Sequence, residues 1–189
     1  MNRIVAWKSN RFEEWKQLVL RSLQLGIAIL FHPIDGYREL RNNRSLTTAF
    51  FLIFLTLCVR IVTIYLTSFH LTNLQPQDAN LLLEVARFVL PLISGTIAIY
   101  LITAIMDGEA FFGDVLAAMA YAMMPYIVFS IPVSALSLIL SRGELGLYTS
   151  LNTIIWCWVG LLVFMQIWVL NEYTFQKAIG VTLLILFSF

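Results

Sequence analysis

Apolar residues fill four long runs, at about residues 46 to 69, 81 to 106, 115 to 140 and 150 to 170. Polar or turn-forming stretches mark their boundaries: "NLQPQDAN", "DGEAFFGD", "SRGELG" and "NEYTFQK". Each run reaches the roughly 20 residues that a helix needs to cross a hydrocarbon core about 30 Å thick. None shows the alternation of a barrel strand, and only helices or closed barrels satisfy every backbone N–H and C=O in lipid. Four transmembrane helices are therefore predicted. A fifth apolar run opens near Ala178 and reaches Phe189, or about 18 Å of helix at 1.5 Å per residue, too short to cross. It reads either as the start of a span that continues beyond the residues given, which is the expectation, or as a half-span buried against the others.

Ahead of the first span the pattern changes. Over residues 4 to 31, Phe12, Trp15, Val19 and Leu23 recur at helical spacing while Glu13, Gln17 and Arg21 fall opposite. Such a helix lies in the headgroup plane, or covers a cytoplasmic partner. Its last ten residues, "LQLGIAILFH", are too short to span and predict an oblique dip into the bilayer or packing against other helices. "FHPIDGYREL" then reads as an interfacial elbow. Pro33 ends the first helix, Asp35 caps a short second one through Tyr37, Leu40 and Arg41, and Gly36 lies in the bend. The organisation is all-α: an amphipathic interfacial helix over 1–31, then a helical membrane bundle over 32–189 with four complete spans and a truncated fifth.

Composition agrees: 60% of the residues are hydrophobic and 12% charged, against roughly half and a quarter in a globular domain. The net charge of +1 hides an asymmetry, because eight of the twelve Lys and Arg residues precede residue 46. The positive-inside rule puts that end in the cytoplasm, facing anionic lipid headgroups. Trp7, Phe12 and Trp15 among those charges disfavour a nucleic-acid patch. Cys58 and Cys157 fall inside spans and are expected to pack in the apolar interior. The first 20 residues mix charges throughout and lack a secretory signal pattern.

Candidate chemistry is sparse. Arg60 lies within "FLTLCVRIVTIYL", where a lone charge costs about 2.5 to 3.5 kcal/mol. Glu84, opening the next span near the same depth and three residues before Arg87, is its natural partner; the rival reading has Arg60 snorkelling and the other two as ordinary interface charges. Pro125 and Pro132 in "YAMMPYIVFSIP" break or kink the third span, as a substrate-binding break or a static kink. Asp107, Glu109 and Asp114 crowd one turn; they could hold a hard cation, but the expectation is that they face water and favour the following helix N-terminus. His32 and His70 fall on opposite sides of the membrane, so no catalytic constellation, metal site or cofactor is expected. Gly95, Ala98, Ala117, Ala118 and Ala120 offer small faces for contact with a partner helix. A faint repeat relates "GEAFFGDVLAAM" to "NEYTFQKAIGVT", each with Glu three residues before Phe at the start of a span; duplicated hairpins or convergent turns would both explain it.

The elbow "FHPIDGYREL", the span "DGEAFFGDVLAAMAYAMMPYIVF", "SLNTIIWCWVGLL" and "YTFQKAIGVTLL" together resemble the Yip family, membrane proteins first associated with Rab-type GTPases. Phe112, Ala120, Tyr121, Ala122, Pro125 and Tyr126 carry the most specific part of the likeness. The resemblance implies five spans, a cytoplasmic N-terminus and no catalytic residue. The plain "HPIDG" elbow is similar to that of bacterial members, which often accompany transport systems. The expected function is that of a non-enzymatic accessory or assembly partner of another membrane complex, such as an ABC-type transporter in the bacterial plasma membrane. A small transporter or channel using Arg60 and the Pro125–Pro132 break, and a membrane-shaping or trafficking factor, are the alternatives.

Overall fold

Long apolar runs leave the backbone one way to satisfy itself in lipid, and every regular element among the described residues is helical. The computed structural model describes residues 2–42, 45–67 and 81–188. Expectations for the 70–80 loop, for His70 and for the faces of Trp7, Phe12 and Trp15 lie outside the described residues and side chains. The elements are α1 (Asn2–Phe31), α2 (Pro33–Asn42), α3 (Leu46–Leu66), α4 (Leu81–Ile105), α5 (Phe112–Ala122), α6 (Met124–Leu136), a 3₁₀ turn at Arg142–Glu144, α7 (Leu145–Leu170) and α8 (Phe175–Ser188). Among the described residues, four stretches are long and apolar enough to cross a membrane: Leu46–Leu66, Leu82–Ile105, Phe112–Leu136 and Leu145–Leu170. The shorter α8 packs Ala178, Val181 and Ile185 inward, against α4 and α7.

The third span is the centre of the bundle: 67% of it is buried, against 28 to 33% of the other three. Ala117, Ala118, Ala120 and Ala122 are fully buried in α5, so these small residues serve close packing within the chain rather than an outside partner, and Gly95 is buried as well. Opposite them, α3 presents Thr48, Leu52, Thr56, Val59 and Thr63 at helical spacing. The three threonine hydroxyls bond back to the carbonyls of Ser45, Leu52 and Arg60, which satisfies their donors within α3. Phe50, Phe54 and Tyr65 occupy the outer face, where lipid would cover them.

The centre breaks at Met123, between α5 and α6. Pro125 has no N–H to return to the Tyr121 carbonyl, and the helix restarts with Pro125 in its first turn. Pro132 lies within α6 without ending it.

The second half of α1 has three faces. Ser22, Gly26 and Ile29 face the bundle, Leu20, Ile27 and Phe31 are exposed and apolar, and Gln17, Arg21 and Gln24 are exposed and polar. One face packs on the bundle and the two exposed faces differ in polarity, a pattern that suits a helix at a membrane surface. Gly26 lets Met124 pack close against α1, where a Cβ would lie 2.6 Å from the Met124 methyl.

Several boundaries differ from expectation. α2 begins at Pro33, so Asp35 is in its first turn and pairs with Arg38 at 3.9 Å instead of capping it; proline suits that first position because its missing N–H would have had no helical partner. Gly36 packs against Ile29, where a Cβ would lie 2.9 Å from the Ile29 Cα, so it joins α2 to α1 closely. α7 starts at Leu145, not near residue 150, because Gly146 is tolerated within it. Cys157 is exposed on the outer side of α7 instead of packed inside, while Cys58 is half-buried.

Candidate functional site

Among the described residues, two ionic clusters mark the two ends of the bundle. α3 runs away from the elbow, and Arg60 lies about 21 Å along it by helix rise. There Arg60 Nη2 meets Glu84 Oε2 at 2.6 Å, and Glu84 Oε1 meets Arg87 Nη1 at 3.0 Å. The Glu84 carboxylate is 14% exposed, the Arg60 side chain 37% and the Arg87 side chain 67%, so the acid is the protected centre of the triad. The structure thus brings Arg60, Glu84 and Arg87 together, and with them the broken span: Tyr126, one turn past the break, neighbours the Arg60 guanidinium. Its ring packs against Phe88 at 5.6 Å and Trp156 at 5.4 Å.

A cavity of about 480 Å³ adjoins this triad, with Phe88, Met119, Met123 and Trp156 in its walls. Pro91 also lines it, a helix-interior proline that the sequence reading passed over. The signal was there to find: Glu84, Arg87, Phe88, Pro91 and Leu92 follow one another at i, i+3, i+4, i+7 and i+8, a single stripe of α4.

At the elbow end, Arg41 in the last turn of α2 donates to two acids far away in sequence. Its Nη2 reaches Glu109 Oε2 at 2.7 Å and its Nη1 pairs with Glu172 Oε1. Hydrogen bonding to Glu109 holds the Arg41 guanidinium above the ordinary arginine value, with Glu172 adding to the effect against partial burial. The two turns that supply these acids are built alike. Asp107 and Glu172 adopt positive φ, at 54° and 50°. The next residue's N–H then reaches back five residues, Gly108 to the Thr103 carbonyl and Tyr173 to that of Trp168, as in a Schellman motif. Phe112 and Phe175 open the following helices and stack edge-on against Tyr100 and Trp168 of the preceding ones.

The turns are also tied to each other. Tyr173 donates its hydroxyl to the carbonyls of Thr103 and Met106 at 3.0 and 3.1 Å, and the Asn171 side chain accepts from the Ala110 N–H at 3.3 Å. A Cβ on Gly108 would lie 2.3 Å from Asn171 Oδ1, so glycine alone permits that approach. The acids of the first turn separate: Glu109 goes to Arg41, whereas Asp114 is 7% exposed, not facing water, and accepts the Phe111 N–H at the start of α5. Among the described residues no group of three or more His, Cys, Asp or Glu is placed to hold a metal ion. Sequence reasoning missed Arg41, Glu172, Asn171 and Tyr173 as a unit; the repeated Glu-x-x-Phe was the trace of it.

The architecture is that of an integral membrane protein, a bundle of helices long and apolar enough to span the bilayer, preceded by α1 and the short α2. More particularly, the chain belongs to the Yip family: the model of the Yip1 domain matches residues 27–189, from the end of α1 onward. Comparison with curated proteins and with solved structures gave no match.

Proposed function

We propose that this protein works without catalysis, as an accessory or assembly partner of another membrane complex, docking through its elbow end. The observation that carries this reading is Arg41 bridging Glu109 and Glu172. One side chain of α2 thereby ties the elbow to the turns after α4 and α7, and α2 packs on both α5 and α7. The elbow holds α1 at a set angle to the spans, a fixed arm along the membrane surface. Beside the clamp a cleft of about 680 Å³ presents charges of both signs, Arg38 and Glu172, over an apolar floor with Trp168 and Val169. Such a mixed rim and floor suits a protein surface.

An ABC-type transporter in a bacterial plasma membrane is the partner class that fits the elbow resemblance. The basic residues before residue 46 favour a cytoplasmic elbow end. The test is gentle extraction of the tagged full chain from its native host, with mass spectrometry against an untagged control. A stoichiometric membrane complex that is lost with Arg41→Gln, while the variant stays folded in the membrane, supports docking at the elbow. A preparation free of partners in the native host overturns it.

A further inference from the structure

We propose that the cavity between α3, α4, α5 and α7 binds a phospholipid of net negative charge, its phosphate at Arg87 and Arg60 and an acyl chain in the slot below them. The inference is independent of the docking role and concerns the opposite end of the molecule.

Charge is the first argument. Among the described residues, two guanidinium groups and one carboxylate leave the triad with a surplus positive charge, and Arg87 meets Glu84 through Nη1 while its side chain remains 67% exposed. A guanidinium carries five N–H donors in a fork that matches phosphate oxygens.

Shape is the second. The lining of α4 passes from charged to apolar within one stripe, Glu84 and Arg87 first, then Phe88, Pro91 and Leu92, over about 12 Å of helix. The opposite wall is notched by Gly160, where an added Cβ would meet nothing within 4 Å. The cavity holds about 480 Å³ along that depth, with apolar side chains below its charged mouth. A hydrocarbon chain fits such a slot. A free inorganic anion would use the charged mouth and leave the slot empty, whereas an uncharged hydrocarbon would leave the guanidinium surplus unanswered. A lipid with an anionic head satisfies both.

The experiment is native mass spectrometry of the full chain in detergent, titrated with dioleoyl phosphatidylglycerol, dioleoyl phosphatidylcholine or inorganic phosphate. The expected result is one phosphatidylglycerol retained per chain, at least tenfold more tightly than phosphatidylcholine and undisturbed by millimolar phosphate. Gly160→Leu, which fills the notch, and Arg87→Gln, which removes the exposed donor, should each weaken retention about tenfold. Should Gly160→Leu fail to fold, Arg87→Gln carries the test. Equal retention of the two lipids, indifference to both substitutions, or displacement by phosphate overturns the proposal. A photoreactive benzophenone side chain in place of Trp156 decides between lipid and polypeptide in the slot: an adduct of phospholipid mass supports it, and cross-linking to a peptide instead overturns it.

Discussion

Arg41 and Arg60 both draw acids from other helices, yet the surroundings make their contacts physically different. Arg41 lies at the rim of the bundle, and its partners Glu109 and Glu172 are 55% and 62% exposed. Water and salt screen such pairs, so their net contribution is small and their effect is mainly on geometry. Arg60 lies within a span, and its partner Glu84 is largely protected. There the desolvation cost is already incurred in the folded state, and removing Glu84 leaves the Arg60 guanidinium uncompensated. The elbow cluster positions, whereas the intramembrane cluster is a commitment the fold cannot easily reverse.

The largest effect follows directly. Glu84→Gln should destabilise the protein by about 2 to 3 kcal/mol, because Arg60 loses its carboxylate in a place where a lone guanidinium is costly. The measurement is the thermal midpoint in a mild detergent. Combining Glu84→Gln with Arg60→Leu should recover most of the loss, since a neutral pair carries no stranded charge. If the double variant is as unstable as the sum of the singles, the two side chains act independently and the contrast with Arg41 fails.

A smaller effect should come from Arg41→Gln, about 1 kcal/mol or less. Its signature is positional: a cysteine placed at exposed Glu39 should become more reactive, and Trp168, which lines the cleft beside Arg41, should change its fluorescence. Raising the ionic strength of the native protein to about 1 M, where the Debye length is about 3 Å, should move both readouts in the same direction. Glu84→Gln should leave them unmoved unless it unfolds the bundle.

The same difference decides what could be read before any coordinates. Spans were legible because lipid imposes a length and excludes charge, and Arg60 and Glu84 stood out within or beside such runs as residues that need company. Arg41 had no such mark. It is one of several surface cations, and its partners lie 68 and 131 residues away, so periodicity cannot connect them. What could connect them is the repeat, because Glu109 and Glu172 each precede by three residues the Phe that opens a helix. Asp35 misled for a related reason: as a cap it satisfies local chemistry, but Pro33 already starts α2 and places it inside the first turn. The alanines of α5 read equally well as a lipid-side contact stripe, and only the packing of α3 and α7 around that helix shows them to be interior.

The smallest effect sharpens the view of the elbow as a device of packing as well as charge. Tyr37 of α2 is fully buried, and its hydroxyl has no hydrogen-bond partner among the described residues. Burial therefore pushes its phenol well above the ordinary value of 10.0. Because the folded state holds the proton more tightly than the unfolded state, this group's contribution to stability is fully present below about pH 10. It is lost progressively as the pH rises above that point, where the unfolded chain ionises and the folded one does not. Tyr37→Phe removes both the unpaired hydroxyl and the titration. It should be neutral or stabilising by up to about 1 kcal/mol at pH 7, and the margin over the native protein should widen in thermal melts between pH 9 and 11. A variant less stable than the native protein at pH 7 would mean that the hydroxyl does find a partner, such as a buried water. In that case the hold of α2 on the bundle would rest on a hydrogen bond at its centre as well as on Arg41 at its rim.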